Sequence, residues 1–203
     1  MIRNPRPVVH ALVESLRADP FYIAIAAGAL DDAHRDRVLE QYFDYSMSEG
    51  ARSGRCVIGS PETPAAAVWL LPADAAATQV ASAAKKDFLR ELLPTQGFEN
   101  YERIIAFMTP RAQAVTKRDA WYLSIVGVSP RAQGKGIGAS LLQTTLAEAD
   151  ELGAPCFLET YTAHNLRFYE RLEFVSVASH VEPVTACEYF IMQRSTKQTA
   201  TTS

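Results

Sequence analysis

A glycine-rich string, Gln133-Gly134-Lys135-Gly136-Ile137-Gly138, separates the apolar stretch Trp121–Val128 from a helically spaced run carrying Leu141, Leu142 and Leu146. Strand, glycine loop and helix start, in that order, make an anion site. The first turn of a helix leaves backbone amides without intrahelical acceptors, and the macrodipole adds partial positive charge there. Glycines let the chain curl until those donors converge on a phosphate or pyrophosphate. Arg131 and Lys135 add mobile positive charge beside them. A phosphorylated ligand is therefore expected against residues 131–140. Further on, Asn165 and Tyr169 stand four residues apart, so both project from one face of a short helix. A phenol stays protonated at neutral pH and can donate a proton; the alternative is a core aromatic beside Phe168. Glu159 lies in the apolar stretch Cys156–Thr160, on the face opposite Leu158. It is read either as a base facing a cleft or as a solvated carboxylate near a strand end.

These side chains need a scaffold, and the rest of the pattern supplies one. Pro7 followed by Val8, Val9, Leu12, Val13 and Leu16 predicts a helix broken by Asp19-Pro20. Residues 21–30 read as a helix-like connector. Asp31 or Asp32 caps a helix with Val38, Tyr42 and Tyr45 on one face. A strand pair is expected over 55–58 and 65–71, then a helix over 75–93 stopped by Pro94 and a shorter one over 101–108 stopped by Pro110. The helix after the glycine loop ends at Gly153, and two strand-like segments, 174–181 and 188–193, follow the Asn165 helix. Residues 195–203 are polar, without periodicity, and read as a frayed tail; residues 1–194 read as one domain.

Composition narrows the functional class. With 203 residues, 48% hydrophobic content and 21% charged content, the chain is ordinary for a globular protein with a substantial core. A net charge of −3 and scattered basic residues argue against a nucleic-acid partner. Cys56, Cys156 and Cys187 form no CxxC and no His pairing at metal spacing, so no metal is expected and each reads as a buried, reduced thiol in a strand. No apolar run has membrane-spanning length and residues 1–7 lack a signal-peptide core, so no membrane partner is expected and the cytoplasm is the expected location. The last strand is read as exposed and able to pair between two subunits of a homodimer.

Gly134, Gly136 and Ala139 also fit the dinucleotide fingerprint G-x-G-x-x-A, with Glu159 near the ribose-binding position. Against that reading, Ser129-Pro130-Arg131-Ala132-Gln133 intervenes between strand and first glycine, and the segments that follow look antiparallel. A P-loop is excluded by the lack of Gly-Lys-Ser/Thr.

The same residues resemble the GNAT superfamily of acetyl-CoA-dependent N-acetyltransferases, most closely the puromycin N-acetyltransferase type. The pyrophosphate motif Gln/Arg-x-x-Gly-x-Gly/Ala is matched from Gln133 to Gly138. Ala120-Trp121-Tyr122-Leu123, Val126-Gly127-Val128-Ser129-Pro130, Phe157-Leu158-Glu159-Thr160, Asn165-Leu166 and Phe168-Tyr169-Glu170-Arg171-Leu172 add to the likeness. It is strong over residues 119–194; ahead of them only Ala67-Val68-Trp69 looks similar. Glu173 departs from the pattern, since a glycine usually sits there, and the usual opening strand is hard to find ahead of Val8.

The resemblance implies an α/β (α+β) fold: a mixed, mostly antiparallel sheet with a splayed parallel central strand pair and helices on both faces. Residues 119–194 would hold acetyl-CoA, and residues 1–118 would face the acceptor. The backbone of Val126, Gly127 and Val128 would take the pantetheine arm. Arg131, Gln133, Gly134, Lys135, Gly136, Ile137, Gly138, Ala139 and Ser140 would receive the pyrophosphate, and Asn165 would contact the pantetheine region. Tyr169 would protonate the leaving thiolate, Glu159 is the candidate base, and a backbone amide such as that of Val126 would support the oxyanion. The acceptor would be the amine of a small molecule, such as an antibiotic or toxin-like metabolite. Tyr22, Tyr42, Phe43, Tyr45 and Trp69 could line its pocket, with Asp44 or Glu40 attracting a cation. The rival from another class is a non-catalytic acyl-CoA-binding sensor module.

Overall fold

The computed structural model describes residues 6–196; the expected tail from residue 197 on, and the chain ahead of Arg6, lie outside them. Helix α1 (Arg6–Leu16) turns Val8, Val9, Leu12 and Val13 inward, and α2 (Pro20–Ile25) starts where the Asp19 side chain caps the Phe21 amide at 2.9 Å. Asp31 caps α3 (Asp32–Ser53) through the His34 amide at 2.6 Å. The hairpin β1 (Gly54–Ile58) and β2 (Ala65–Leu70) follows, then α4 (Ala75–Leu92), α5 (Thr95–Val115) and β3 (Trp121–Val128). A 3-10 turn, Pro130–Ala132, leads through the glycine loop into α6 (Ile137–Glu151) and β4 (Cys156–Thr160), and a second, Ala163–Asn165, follows β4. The chain ends in α7 (Leu166–Glu170), β5 (Val175–Glu182) and β6 (Cys187–Arg194).

The six strands form one sheet in the order β1-β2-β3-β4-β6-β5, antiparallel except for the central β3–β4 pair. That pair bonds only from Trp121↔Cys156 to Leu123↔Leu158 and then separates. Against β2, one residue of β3 is extra: Trp69 faces Leu123 and Val68 faces Ile125, leaving Ser124 as a bulge. The bulge reverses the side-chain alternation. Trp121 and Leu123 pack with α6, Ser124 and Ile125 both turn to the opposite face, and Val126 and Val128 return to the α6 side.

Helices cover both faces. Leu141, Leu142 and Leu146 of α6 and Tyr169 of α7 pack on Trp69, Trp121, Leu123 and Leu158. The other face carries two clusters side by side. One joins α1 and α3 to Ala66, Val68 and Ile125; the second joins Ile104, Met108 and Ala112 of α5 to Tyr189 and Ile191.

Two expectations are corrected. Helix α5 runs through Pro110 from Thr95 to Val115 rather than ending before it. A proline costs the helix one hydrogen bond. Here the buried stripe Ile104, Met108 and Ala112 spans both sides of it, and that burial outweighs the lost bond. The last strand, β6, is interior, paired on both sides by β4 and β5, so it offers no free edge to a second subunit; the edges are β1 and β5.

Glu173 adopts φ 68°, the left-handed region that glycine tolerates best. Its amide donates to Glu170 O and the next amide, of Phe174, returns to Tyr169 O, closing the end of α7. Its carboxylate lies 3.0 Å from Arg194 and is 53% exposed, so that pair contributes at most about 1 kcal/mol. Left-handed backbone costs an L-residue about 1–2 kcal/mol. Glu173→Gly is therefore expected to leave the melting temperature unchanged or raise it slightly, and Glu173→Val to lower it by several degrees, read by thermal unfolding.

Candidate active site

The glycine loop is built as an open cradle. Gly134 and Gly136 have φ of 75° and 78°, and a side chain built on either would meet nothing within 4 Å. Among the described residues, the backbone amides from Gln133 to Ala139 donate no hydrogen bond; the next one, Ser140, reaches Gly136 O at 3.0 Å. Gly136 caps α6 without a side-chain bond, so the first turn of this 15-residue helix faces outward with its donors free. Arg131, Lys135 and Ser140 are exposed at the rim. The Gln133 side chain folds back, donating from Nε2 to Val128 O at 3.0 Å, and ties the loop to the end of β3.

The loop opens onto the gap between β3 and β4. The Ser129 amide bonds Pro64 O on the β2 side, so by strand alternation Gly127 turns its polar backbone groups to β2 while Val126 and Val128 turn theirs into the gap. The bulge at Ser124 sets this phase, because Trp121, whose amide bonds Pro155 O beside β4, faces the same way. With Val128 O held by Gln133, the open groups of β3 are those of Val126 and the Val128 amide.

Where the three hydrophobic clusters meet, the separated strands leave a cavity of about 240 Å³ that none of them fills. Asn165 and Tyr169 both line it, as do Ser124, Val126 and Glu159. Tyr169 is also a core residue, 7% exposed and edge-on to Phe168 and Phe174 at 5.0 and 6.1 Å. Burial pushes its phenol well above the ordinary range, so the hydroxyl keeps its proton. Glu159 faces away from Leu158 and into the cavity. Its Oε1 is buried with no hydrogen-bond partner. Burial pushes the carboxyl up to about 7, and the Tyr122 hydroxyl, donating to it, works against that rise.

The aromatic pocket differs from the one expected. Tyr22 and Tyr42 do line the cavity, but Phe43 and Trp69 are fully buried in the core and Tyr45 stacks on Phe88 at 4.2 Å. Glu40 and Asp44 lie with His10 in an outer groove between α1 and α3. In their place stand Tyr101 from α5, Tyr122 from β3, Tyr161 after β4, and Asp19 from the start of α2. The sequence marks Asp19 only as a helix break. Its Asp-Pro signal says cap and nothing about a cavity. The phenol of Tyr122 stacks on Phe157 at 4.7 Å, at the register where the parallel pair still holds.

Comparison with known proteins agrees with this geometry. A family model described as "Acetyltransferase (GNAT) family" matches residues 69–174. An uncharacterised N-acetyltransferase of Schizosaccharomyces pombe is 39% identical over 67 residues, 32% of this chain and 27% of that protein, so the chain spans about a quarter of that relative. Among solved structures, a "histone acetyltransferase HPA2 and related acetyltransferase" from Corynebacterium glutamicum superposes with TM-score 0.65 at 20% identity, covering 98% of this chain and 96% of that one. Arylalkylamine N-acetyltransferase 2 from Aedes aegypti gives 0.64 at 14% identity, covering 95% and 94%. The fold is theirs, and with the family's pattern matched over more than half its length, this chain belongs to the GNAT family of acetyltransferases.

Proposed function

We propose that the chain transfers an acetyl group from acetyl-CoA to the amine of a small molecule by direct attack in a ternary complex. One observation carries this reading. A loop of free amides opens onto a strand gap whose inner end is a cavity lined by a buried carboxyl, Glu159, and a buried phenol, Tyr169.

The residues fit the cosubstrate. The amides of Gln133 to Ala139 with Arg131, Lys135 and Ser140 would hold its diphosphate, and Val126, Val128 and Asn165 its pantetheine arm. Acetyl-CoA supplies an activated acyl thioester: the amine nitrogen forms a C–N bond to the carbonyl carbon as the C–S bond breaks. Glu159 takes the proton the amine gives up, directly or through a water. Tyr169 gives its proton to the departing sulfur, and the Val126 amide supports the carbonyl oxygen. No cysteine lines the cavity to offer a covalent route. Burial pushes Cys56 up to about 11 and Cys156 up to about 12, so both stay protonated.

No helix among the described residues is long and apolar enough to cross a membrane. The three free cysteines suit a reducing cytoplasm. The resemblance to puromycin-type enzymes favours an aminated antibiotic or toxin-like metabolite as acceptor. A panel of amines, followed by release of free CoA thiol, tests the activity. Tyr169→Phe is expected to lower kcat about 100-fold while CoA affinity, read by calorimetry, changes little. A sensor module would bind CoA, release no thiol to any amine, and show no kinetic effect of this variant; equal losses of kcat and affinity would make Tyr169 a packing residue.

A further inference from the structure

The acceptor cavity presents two carboxylates, and the proposed reaction uses only one. Glu159 lies on β4 where the sheet splays; Asp19 comes from the opposite layer, at the start of α2. They stand apart. Burial is the main cause of each one's raised pKa, about 6 for Asp19 and about 7 for Glu159, and neither is among the charges acting on the other, although both act on Tyr161. The cation in the cavity wall, Lys85, is held by Glu49 at 2.7 Å and neutralises neither.

Capping does not explain the charge on Asp19. The cap accepts the Phe21 amide at Oδ1 and the Tyr22 amide as well, and a carboxylate has acceptor capacity beyond these two. Asn or Ser caps a helix as well as Asp without burying a charge. The same wall carries Tyr22, Tyr42, Tyr101 and Tyr122, a ring-rich lining of the kind that attracts cations. The volume, about 240 Å³, falls below the roughly 300–1,000 Å³ of pockets for drug-sized ligands.

From this arrangement we infer that the acceptor is a compact diamine, one nitrogen reacting at Glu159 and the second held as an ammonium by Asp19. The inference rests on the acetyl-transfer reading for which nitrogen reacts; the two-point recognition rests on the cavity alone. The chemistry favours the pairing. A retained positive charge close to the reacting amine lowers that amine's pKa, so it loses its proton to Glu159 more readily. The product keeps one charge and one neutral amide.

The test compares α,ω-diaminoalkanes of three to six carbons with alkylamines of equal length, by CoA release and by calorimetric binding to the protein with CoA present. At least one diamine should exceed its matched monoamine by at least about tenfold in kcat/KM and in affinity. Asp19→Asn, which keeps the cap, should erase that preference, so that each diamine and its matched monoamine are used and bound alike; Asp19→Ser serves as the second capping variant. Equal use of diamines and monoamines, or loss of both alike in Asp19→Asn with unchanged melting, overturns the inference while transfer stands. Diamine binding that requires Asp19 but frees no CoA upholds the ligand assignment and sinks the transferase reading. No binding and no turnover of any diamine sinks the inference.

Discussion

A Gly136→Asp variant is expected to fold, melting at most a few degrees below the parent, while losing at least about 100-fold in affinity for coenzyme A. The two halves of this expectation have separate causes. Gly136 has φ 78° and open space around a built Cβ, and aspartate is among the few L-residues that visit this backbone region readily. The Gly136 carbonyl would still accept the Ser140 amide, so the first turn of α6 survives. Coenzyme A, however, would meet a carboxylate in the space its diphosphate needs. Charge-assisted bonds contribute about 1.5–3 kcal/mol each, so disturbing two of them already exceeds the 100-fold mark. Gly136→Ala separates strain from charge: it places a methyl group at the same φ without a charge and should lose far less affinity. Calorimetry with coenzyme A and thermal unfolding read the two effects. Unchanged binding in Gly136→Asp would mean that the diphosphate lies elsewhere and that the loop is only a turn.

How much of this was written in the sequence depends on whether a feature is local. The glycine loop was legible because its signal is contiguous: strand, turn, glycines and helix start follow one another, and the free amides result from that order. Asn165 and Tyr169 were legible because helical spacing puts them on one face, and both line the cavity. The facing of Glu159 followed from strand alternation. The lining of the cavity was not legible, because Asp19, Tyr101, Tyr122 and Tyr161 reach it from four separate elements. Topology brings them together, and no periodicity records that. Phe43 and Trp69, which looked like pocket aromatics, belong to the hydrophobic clusters on opposite faces of the sheet, Phe43 with α1 and α3 and Trp69 with α6. The Ser124 bulge was hidden for another reason. One extra residue in an apolar strand leaves composition unchanged, yet it decides which backbone groups of β3 face the gap. Pro110 misled because a local breaker signal was outweighed by burial on both sides of it.

Glu159→Gln should divide function from stability more sharply than any other substitution in the cavity. As base, Glu159 must be ionised, so kcat/KM of the parent should rise with pH through about 7 and level above it. The glutamine variant cannot take the proton and should lose about 100- to 10,000-fold above that pH, its profile losing the limb. Asp19 also titrates in this cavity, near 6, and the Tyr122 hydroxyl contacts Glu159, so the assignment rests on the variant rather than on the parent's curve. Stability moves the other way. A carboxyl raised from 4.5 to about 7 on folding favours the native state below its unfolded pKa, and that contribution is lost as pH rises through about 7. At pH 8 the parent carries a buried carboxylate whose Oε1 has no partner, a cost on the order of 2 kcal/mol. Glutamine has a similar shape and no charge, so the variant should melt several degrees above the parent at pH 8 and match it near pH 4. Melting curves at both values, set beside the pH–rate profiles, decide the matter. A variant that keeps its activity, or one that melts lower at pH 8, would show that Glu159 is held for structure and that the proton leaves the amine by another route.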